Sequence, residues 1–152
     1  MTTRAYPEFY TQAARDNLAD CFEYGVIGCH IDPDELAHML VESDLARQLS
    51  LGLPCCTVGT TGRGLLCQLF RAMGRDADTV PRFSRYSVSP AYWASWALAF
   101  YQWYRDLTLA GIWEQVPMSR IMFMYYPLHE ASVHKFVDVM DNMLGIGADG
   151  DE

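Results

Sequence analysis

The sequence predicts an all-α protein: a single-domain bundle of six to eight helices around a hydrophobic, aromatic-rich central helix. Three observations support this class. Apolar residues recur at helical spacing, helix start signals precede those segments, and no segment alternates convincingly like a half-buried strand. The 152 residues are enough to bury one core. We expect residues 1–145 to form the domain and 146–152 an acidic, flexible tail.

Helical spacing and start signals predict four helices in the N-terminal half of the chain. Asp32 precedes Pro33 and is expected to cap the second of them, with Glu35 completing a capping box. Thr60 or Thr61 is expected to cap the fourth. Between the third and fourth helices, Cys55 to Val58 is compatible with a short extended segment. The four predicted helices cover residues 7–25, 32 onward, 44–51 and 60 or 61 to 74.

The C-terminal half is predicted to hold the central helix, AYWASWALAFYQWYRD, which follows a cap at Ser89 and Pro90. This helix is apolar on almost every side, so Trp93, Trp96, Phe100 and Trp103 are expected to lie in the core, with a cofactor-binding aromatic box as the alternative. A surface linker over residues 75–87 precedes it. Three further helices are predicted over residues 109–116, 118–125 and 131–144, and Gly145 ends the last of them.

Charge and hydropathy exclude several classes of function. The net charge is −8, which disfavours direct binding to nucleic acid phosphates. The acidity indicates either solubility alone or attraction for a basic partner. No apolar run approaches the roughly 20 residues of a membrane-spanning helix, and the N-terminus lacks a signal core. We therefore expect a soluble, cytoplasmic protein.

The sequence predicts no metal site and no cofactor. The five cysteines are odd in number and contain no C-x-x-C pair, which favours buried thiols over zinc. A second set of candidate ligands, which helix capping and a solvated helix face explain instead, comprises His30, Asp32, Asp34 and His38.

No catalytic motif is complete, so we predict that the protein is not an enzyme. His129 and His134 are five residues apart, whereas the zinc-protease helix needs two histidines four apart. The glycine-rich turn over residues 58–64 lacks the spacing and the lysine of a P-loop. A helix cap explains this turn, with anion binding by its backbone N–H groups as the alternative.

Two long stretches, FEYGVIGCHIDPDELAHMLVESDLARQLSLGLPCCTVGTTGRGLL and SPAYWASWALAFYQWYRDLTLAGIWEQVPMSRIMFMYYPLHEASVHKFVDVMDNML, resemble a family of small uncharacterised bacterial all-α proteins. Genes of that family often stand near ADP-ribosyltransferase-like toxin genes. The resemblance implies an accessory or antitoxin-like role in mobile or defence modules, and it carries over no catalytic residue. The shared pattern centres on Trp93, Trp96, Ala97, Tyr101, Gln102, Trp103, Tyr104, Tyr125, Pro127, His129 and Glu130.

These observations predict a small acidic module that docks on another protein and inhibits or regulates it, as an antitoxin-like or anti-defence inhibitor would. The expected partner is a basic toxin or a nucleic-acid-binding defence protein. Tyrosine and arginine are enriched at interface hot spots, and irregular segments let side chains reach solvent. The predicted contact residues are Tyr104, Arg105, Tyr126 and Glu130, although the tyrosines equally fit a role in covering the core.

Two other classes of function fit the same sequence. One is a small enzyme or ligand-binding bundle with a pocket between the central and last helices. The residues expected to line that pocket are Tyr101, Tyr104, Tyr125 and His129. The other class is a structural homo-oligomer that associates through an exposed aromatic patch.

Overall fold

The structure of the protein, a computed structural model, describes residues 3–82 and 89–147. These residues contain no strand, and they contribute to one main core to which every α-helix adds buried residues. The all-α, single-domain prediction is confirmed. The α-helices of the described residues are α1 (Thr11–Phe22), α2 (Pro33–Glu42), α3 (Leu45–Ser50), α4 (Gly62–Ala72), α5 (Pro90–Arg105), α6 (Leu109–Gln115), α7 (Met118–Phe123), α8 (Tyr125–Leu128) and α9 (Val133–Leu144).

The helix α5 is central, as predicted, and packs against α1, α7, α8 and α9. Ten of its 16 residues are buried. They include the polar residues Ser95 and Gln102, whose hydrogen bonds are made inside the protein. The Gln102 amide donates to the carbonyl oxygens of Ser50 (2.9 Å) and Leu107 (2.7 Å). Since both side chains are hydrogen-bonded, α5 buries these two polar residues without leaving them unpaired.

Local capping sets the bounds of several helices. Asp32 accepts hydrogen bonds from two backbone N–H groups of α2, and Thr61 and Ser89 each accept one from the first turns of α4 and α5. Gly145 ends α9 in the left-handed region (φ 75°), and the N–H of Ile146 donates to the carbonyl of the residue five positions earlier. These caps confirm the sequence prediction at each of the four positions.

The first predicted helix, 7–25, is three elements rather than one. A 3₁₀ turn (Glu8–Tyr10) precedes α1, and a π-helical segment (Glu23–Gly28) follows it. The chain therefore continues past Gly25 instead of breaking there. The π-helical segment buries Glu23, whose carboxylate accepts a short hydrogen bond from the Ser89 hydroxyl. This contact joins the end of α1 to the start of α5.

Residues 55–58 are not extended, and that alternative was wrong. Pro54–Cys56 form a 3₁₀ turn. The buried Asn17 amide of α1 donates to the carbonyl oxygens of Cys56 (3.0 Å) and Thr57 (2.8 Å), so a side chain of another element stabilises the turn. Gly62 then follows so closely on α1 that a Cβ there would lie 2.2 Å from the Cβ of Asp20. Close packing between α1 and α4 explains this glycine.

The predicted helix over 118–125 is also divided. Met124 separates α7 from the single turn α8, and α8 includes Pro127 rather than ending before it. The predicted linker is described only over its residues 75–82, which carry one 3₁₀ turn (Ala77–Thr79) and the buried Val80. The rest of the linker, residues 83–87, and most of the predicted tail, residues 148–152, lie outside the described residues.

Candidate functional site

A groove on the surface is lined by five aromatic side chains. It lies where the first half of α5 meets α8 and the turn that follows it, and its volume is about 490 Å³. This volume falls in the range of small-ligand and side-chain pockets. We call it the aromatic groove, and its lining residues are Tyr92, Trp93, Trp96, Tyr125 and His129.

Ring contacts fix the walls of the aromatic groove. Trp93 of α5 meets Tyr125 of α8 edge to face, with centroids 6.0 Å apart and planes at 78°. Behind it, Trp93 meets Phe136 of α9 at 5.6 Å and 85°. His129 stacks on Tyr125 at 4.2 Å, and its Nδ1 lies 2.8 Å from the Tyr125 carbonyl oxygen, so this nitrogen donates. The walls are therefore held by both packing and a hydrogen bond.

Two exposed aromatic residues adjoin the groove, and we call them the aromatic rim. Phe123 is 74% exposed and Tyr126 is 65% exposed. Their ring centroids are 5.8 Å apart, and Tyr126 contacts Tyr125 of the groove at 5.5 Å. A continuous series of rings thus runs from the groove wall to solvent. Exposed apolar groups that form one patch mark interaction sites more often than isolated ones do.

The structure places two of the four predicted contact residues beside the groove. Tyr126 belongs to the aromatic rim, and the Glu130 side chain is 88% exposed with its carboxylate 3.5 Å from Nε2 of His129. Both are available to a partner. Whether they contact one stays a prediction.

The other two predicted contact residues are part of the packing at the end of α5. Tyr104 is half-buried, stacks on Phe100 with centroids 5.4 Å apart, and carries the Arg4 guanidinium 3.8 Å from its centroid. Arg105 forms an ion pair with Asp141 of α9 at 2.5 Å, and these side chains are only 9% and 10% exposed. The predicted surface is therefore divided into an exposed half and a packed half.

The predicted pocket between the central and last helices is displaced from its expected position. Tyr125 and His129 do line the aromatic groove, but Tyr101 is fully buried and donates to Asp141 (2.8 Å). Tyr104 lies against Phe100 and does not line it. Trp93 and Trp96 also line the groove, although both were expected in the core: Trp93 is buried there, whereas Trp96 and Tyr92 are only partly buried. The signals for this side of the groove were the aromatic-box alternative for the two tryptophans and the i, i+1, i+4 spacing, which places the three residues on one side of α5.

A basic side chain lies over Trp96. The Arg15 guanidinium carbon is 3.3 Å from the Trp96 ring centroid, and Nε of Arg15 donates to the Trp96 carbonyl oxygen. Burial lowers the pKa of Arg15 to about 10, which the neighbouring Asp16 opposes, so the group stays charged at neutral pH. The chain thus already places a guanidinium against one residue of the groove.

The described residues contain no group of three His, Cys, Asp or Glu side chains that could hold a metal ion. Of the candidate ligands His30, Asp32, Asp34 and His38, Asp34 accepts hydrogen bonds from the N–H and hydroxyl of Ser119.

Two of the cysteine thiols are shielded from solvent. Burial raises the pKa of the Cys21 thiol, and it raises that of Cys56 to about 12. These two thiols are protonated at neutral pH and are poor nucleophiles.

No helix of the described residues has the length and apolar character that crossing a membrane requires.

Comparison with known proteins adds no relative. No family model matches the chain, and no curated protein or solved structure matches it.

Proposed function

We propose that this protein is a binding module that docks on another protein through the aromatic rim and groove, and thereby inhibits or regulates it. The observation that supports the proposal is the continuity between Phe123 and Tyr126, which are exposed, and the ring-lined groove beside them. Burying a large apolar side chain contributes about 1.5–3 kcal/mol. Tyrosine is also enriched among the residues that dominate binding energy.

Charge supports a basic partner. The chain carries a net charge of −8, and the exposed Glu130 carboxylate lies beside the groove. Complementary charge accelerates encounter and selects among partners. An antitoxin-like or anti-defence inhibitor, directed at a basic toxin or a nucleic-acid-binding defence protein, fits both the acidity and the family resemblance of the sequence.

A photo-crosslinking side chain at position 126 tests the docking surface in the native host. We expect one protein to be captured repeatedly at this position. The matched control is the same side chain at position 58, since Val58 is also an exposed apolar residue but lies outside the groove and rim. Equal capture at both positions, or none at position 126, would contradict the proposed surface.

Affinity for the captured partner is the second measurement. Tyr126→Ala should weaken binding about 30-fold, corresponding to a hot-spot loss of about 2 kcal/mol. Leu51→Ala, at an exposed leucine outside the groove and rim, should leave affinity within about twofold. A Tyr126→Ala protein that is folded and binds as tightly as the unmodified chain refutes docking through the rim.

The exposed rim also supports self-association as a second candidate function, because an apolar patch on one copy can cover that on another. Light scattering at high protein concentration distinguishes docking on another protein from self-association. A monomer that still captures a partner at position 126 supports docking, whereas a dimer that Tyr126→Ala dissociates supports a homo-oligomer.

A further inference from the structure

We propose that the aromatic groove receives an arginine side chain of the partner by cation–π contact; this inference rests on the proposed function and names the group that the groove recognises. All five lining residues are aromatic. The face of an aromatic ring carries partial negative charge, so a cation is attracted to it electrostatically. A groove walled by rings is therefore better suited to an organic cation than to an anion.

The geometry of the walls offers more than one ring to the same guest. The planes of Trp93 and Tyr125 are at 78° to each other, and Trp96 and Tyr92 complete the lining from α5. Rings supplied by two elements of the fold can contact one guest from different sides, as in the aromatic cages that proteins use to recognise substituted ammonium groups. A planar guanidinium can stack on one ring while its edge meets another.

The chain itself shows that its rings accept guanidinium groups. Arg15 lies 3.3 Å from the centroid of Trp96, and Arg4 lies 3.8 Å from the centroid of Tyr104. Nine of the 152 positions are tyrosine and four are tryptophan, and ten of the eleven basic residues are arginine. Arg75 over Phe70 is a third such contact, at 4.8 Å, so this fold places arginine on an aromatic face repeatedly.

The Glu130 carboxylate and the acidity of the whole chain favour a cationic guest. Glu130 lies beside His129, with its carboxylate exposed. Arg15 is a cation that already lies over Trp96 and opposes a second cation at that ring, and the neighbouring Asp16 partly offsets its charge. Because the net charge is −8, the longer-range field also attracts a basic segment.

Three blocked pentapeptides test the proposal directly on the intact protein. Their sequences are Gly-Ser-X-Ser-Gly, where X is arginine, citrulline (its neutral isostere) or norleucine. Binding is followed by the NMR shifts of the indole N–H groups of Trp93 and Trp96. We expect the arginine peptide to bind at least about fivefold more tightly than the citrulline peptide, as a cation–π contact predicts.

A pair of variants locates the effect. Tyr125→Leu keeps apolar bulk but removes one ring of the groove, so the preference for arginine should fall to within about twofold. Phe9→Leu removes an exposed ring outside both the groove and the rim and should leave the preference intact. If Tyr125→Leu does not fold, the comparison of the three peptides on the unmodified protein still decides the question.

Equal binding of the citrulline or norleucine peptide overturns the proposal and makes the groove an apolar slot. So does the lack of any shift with the arginine peptide at about 10 mM, a concentration that would saturate millimolar binding. Neither result affects capture of a protein at position 126. A failure of this inference is therefore distinguishable from a failure of the proposed function.

Discussion

Two pairs of residues that the sequence assigned to one surface behave differently in the structure. Tyr104 and Arg105 lie at the end of α5, where α9 and the N-terminal segment cover them. Tyr126 and Glu130 lie around α8, where both side chains remain largely exposed. In sequence the pairs look alike, since each places a tyrosine and a charged residue near the end of a helical segment.

The difference comes from residues that are distant in sequence. Asp141, 36 positions from Arg105, supplies the carboxylate that pairs with its guanidinium. Arg4 supplies the cation over Tyr104 and donates to its carbonyl oxygen (2.8 Å). A tyrosine or arginine at the end of a helix is thus a candidate for contact with another protein only where no side chain from a distant part of the sequence packs on it or pairs with it.

Removal of Arg105 is expected to have the largest effect on the packed half. Arg105→Ala should lower the free energy of unfolding by about 3–5 kcal/mol, because it leaves the Asp141 carboxylate buried without its cation. Urea denaturation monitored by circular dichroism measures this change.

The matched control for Arg105 is Arg71→Ala, which removes an exposed arginine from the last turn of α4. It should cost no more than about 0.5 kcal/mol. A similarly small loss for Arg105→Ala would show that the two halves of the predicted surface are equally open, and the contrast between them would disappear.

Arg4 should have a smaller effect on the same half. Arg4→Ala removes a stacking contact on Tyr104 and a hydrogen bond to its carbonyl oxygen, which together should cost about 1 kcal/mol. Arg4→Lys keeps the charge but loses the planar group that covers the ring. If thermal unfolding shows that Lys fully replaces Arg, charge rather than stacking holds the N-terminal segment against α5.

Local signals explain how much of the fold could be predicted. Asp32, Ser89 and Gly145 each act on the backbone within a few residues, so the bounds of their helices were predictable. The 3₁₀ turn at 54–56 was not, because Asn17 holds it from 39 or 40 positions away. The same limit applies to the hydrogen bond that joins Glu23 to Ser89.

The aromatic groove was only half predictable. Tyr125 and His129 were expected to line a pocket between the central and last helices. Trp93 and Trp96 were assigned to the core, since α5 is apolar on nearly every side and periodicity cannot then select one face. The structure buries one side of this helix against α1 and leaves Trp96 only partly covered, beside α8. Which side of α5 is covered depends on where the neighbouring helices end.

The smallest expected effect concerns Glu130 in the exposed half. Glu130→Gln should change the free energy of unfolding by less than about 0.5 kcal/mol, since the side chain is 88% exposed and its contact with His129 is at the surface. Its effect should appear instead in the rate of association with a basic partner. We expect Glu130→Gln to associate more slowly than the unmodified chain at low ionic strength. At high salt the two should associate equally fast, because charges separated by more than a few ångströms are screened.

The control is Glu114→Gln, which removes an exposed carboxylate from α6 and has the same net charge as Glu130→Gln. Stopped-flow measurement with the partner captured at position 126 compares the two variants. If the two variants slow association equally, the partner responds only to the total charge of the chain. The position of Glu130 in the exposed half would then have no effect on association.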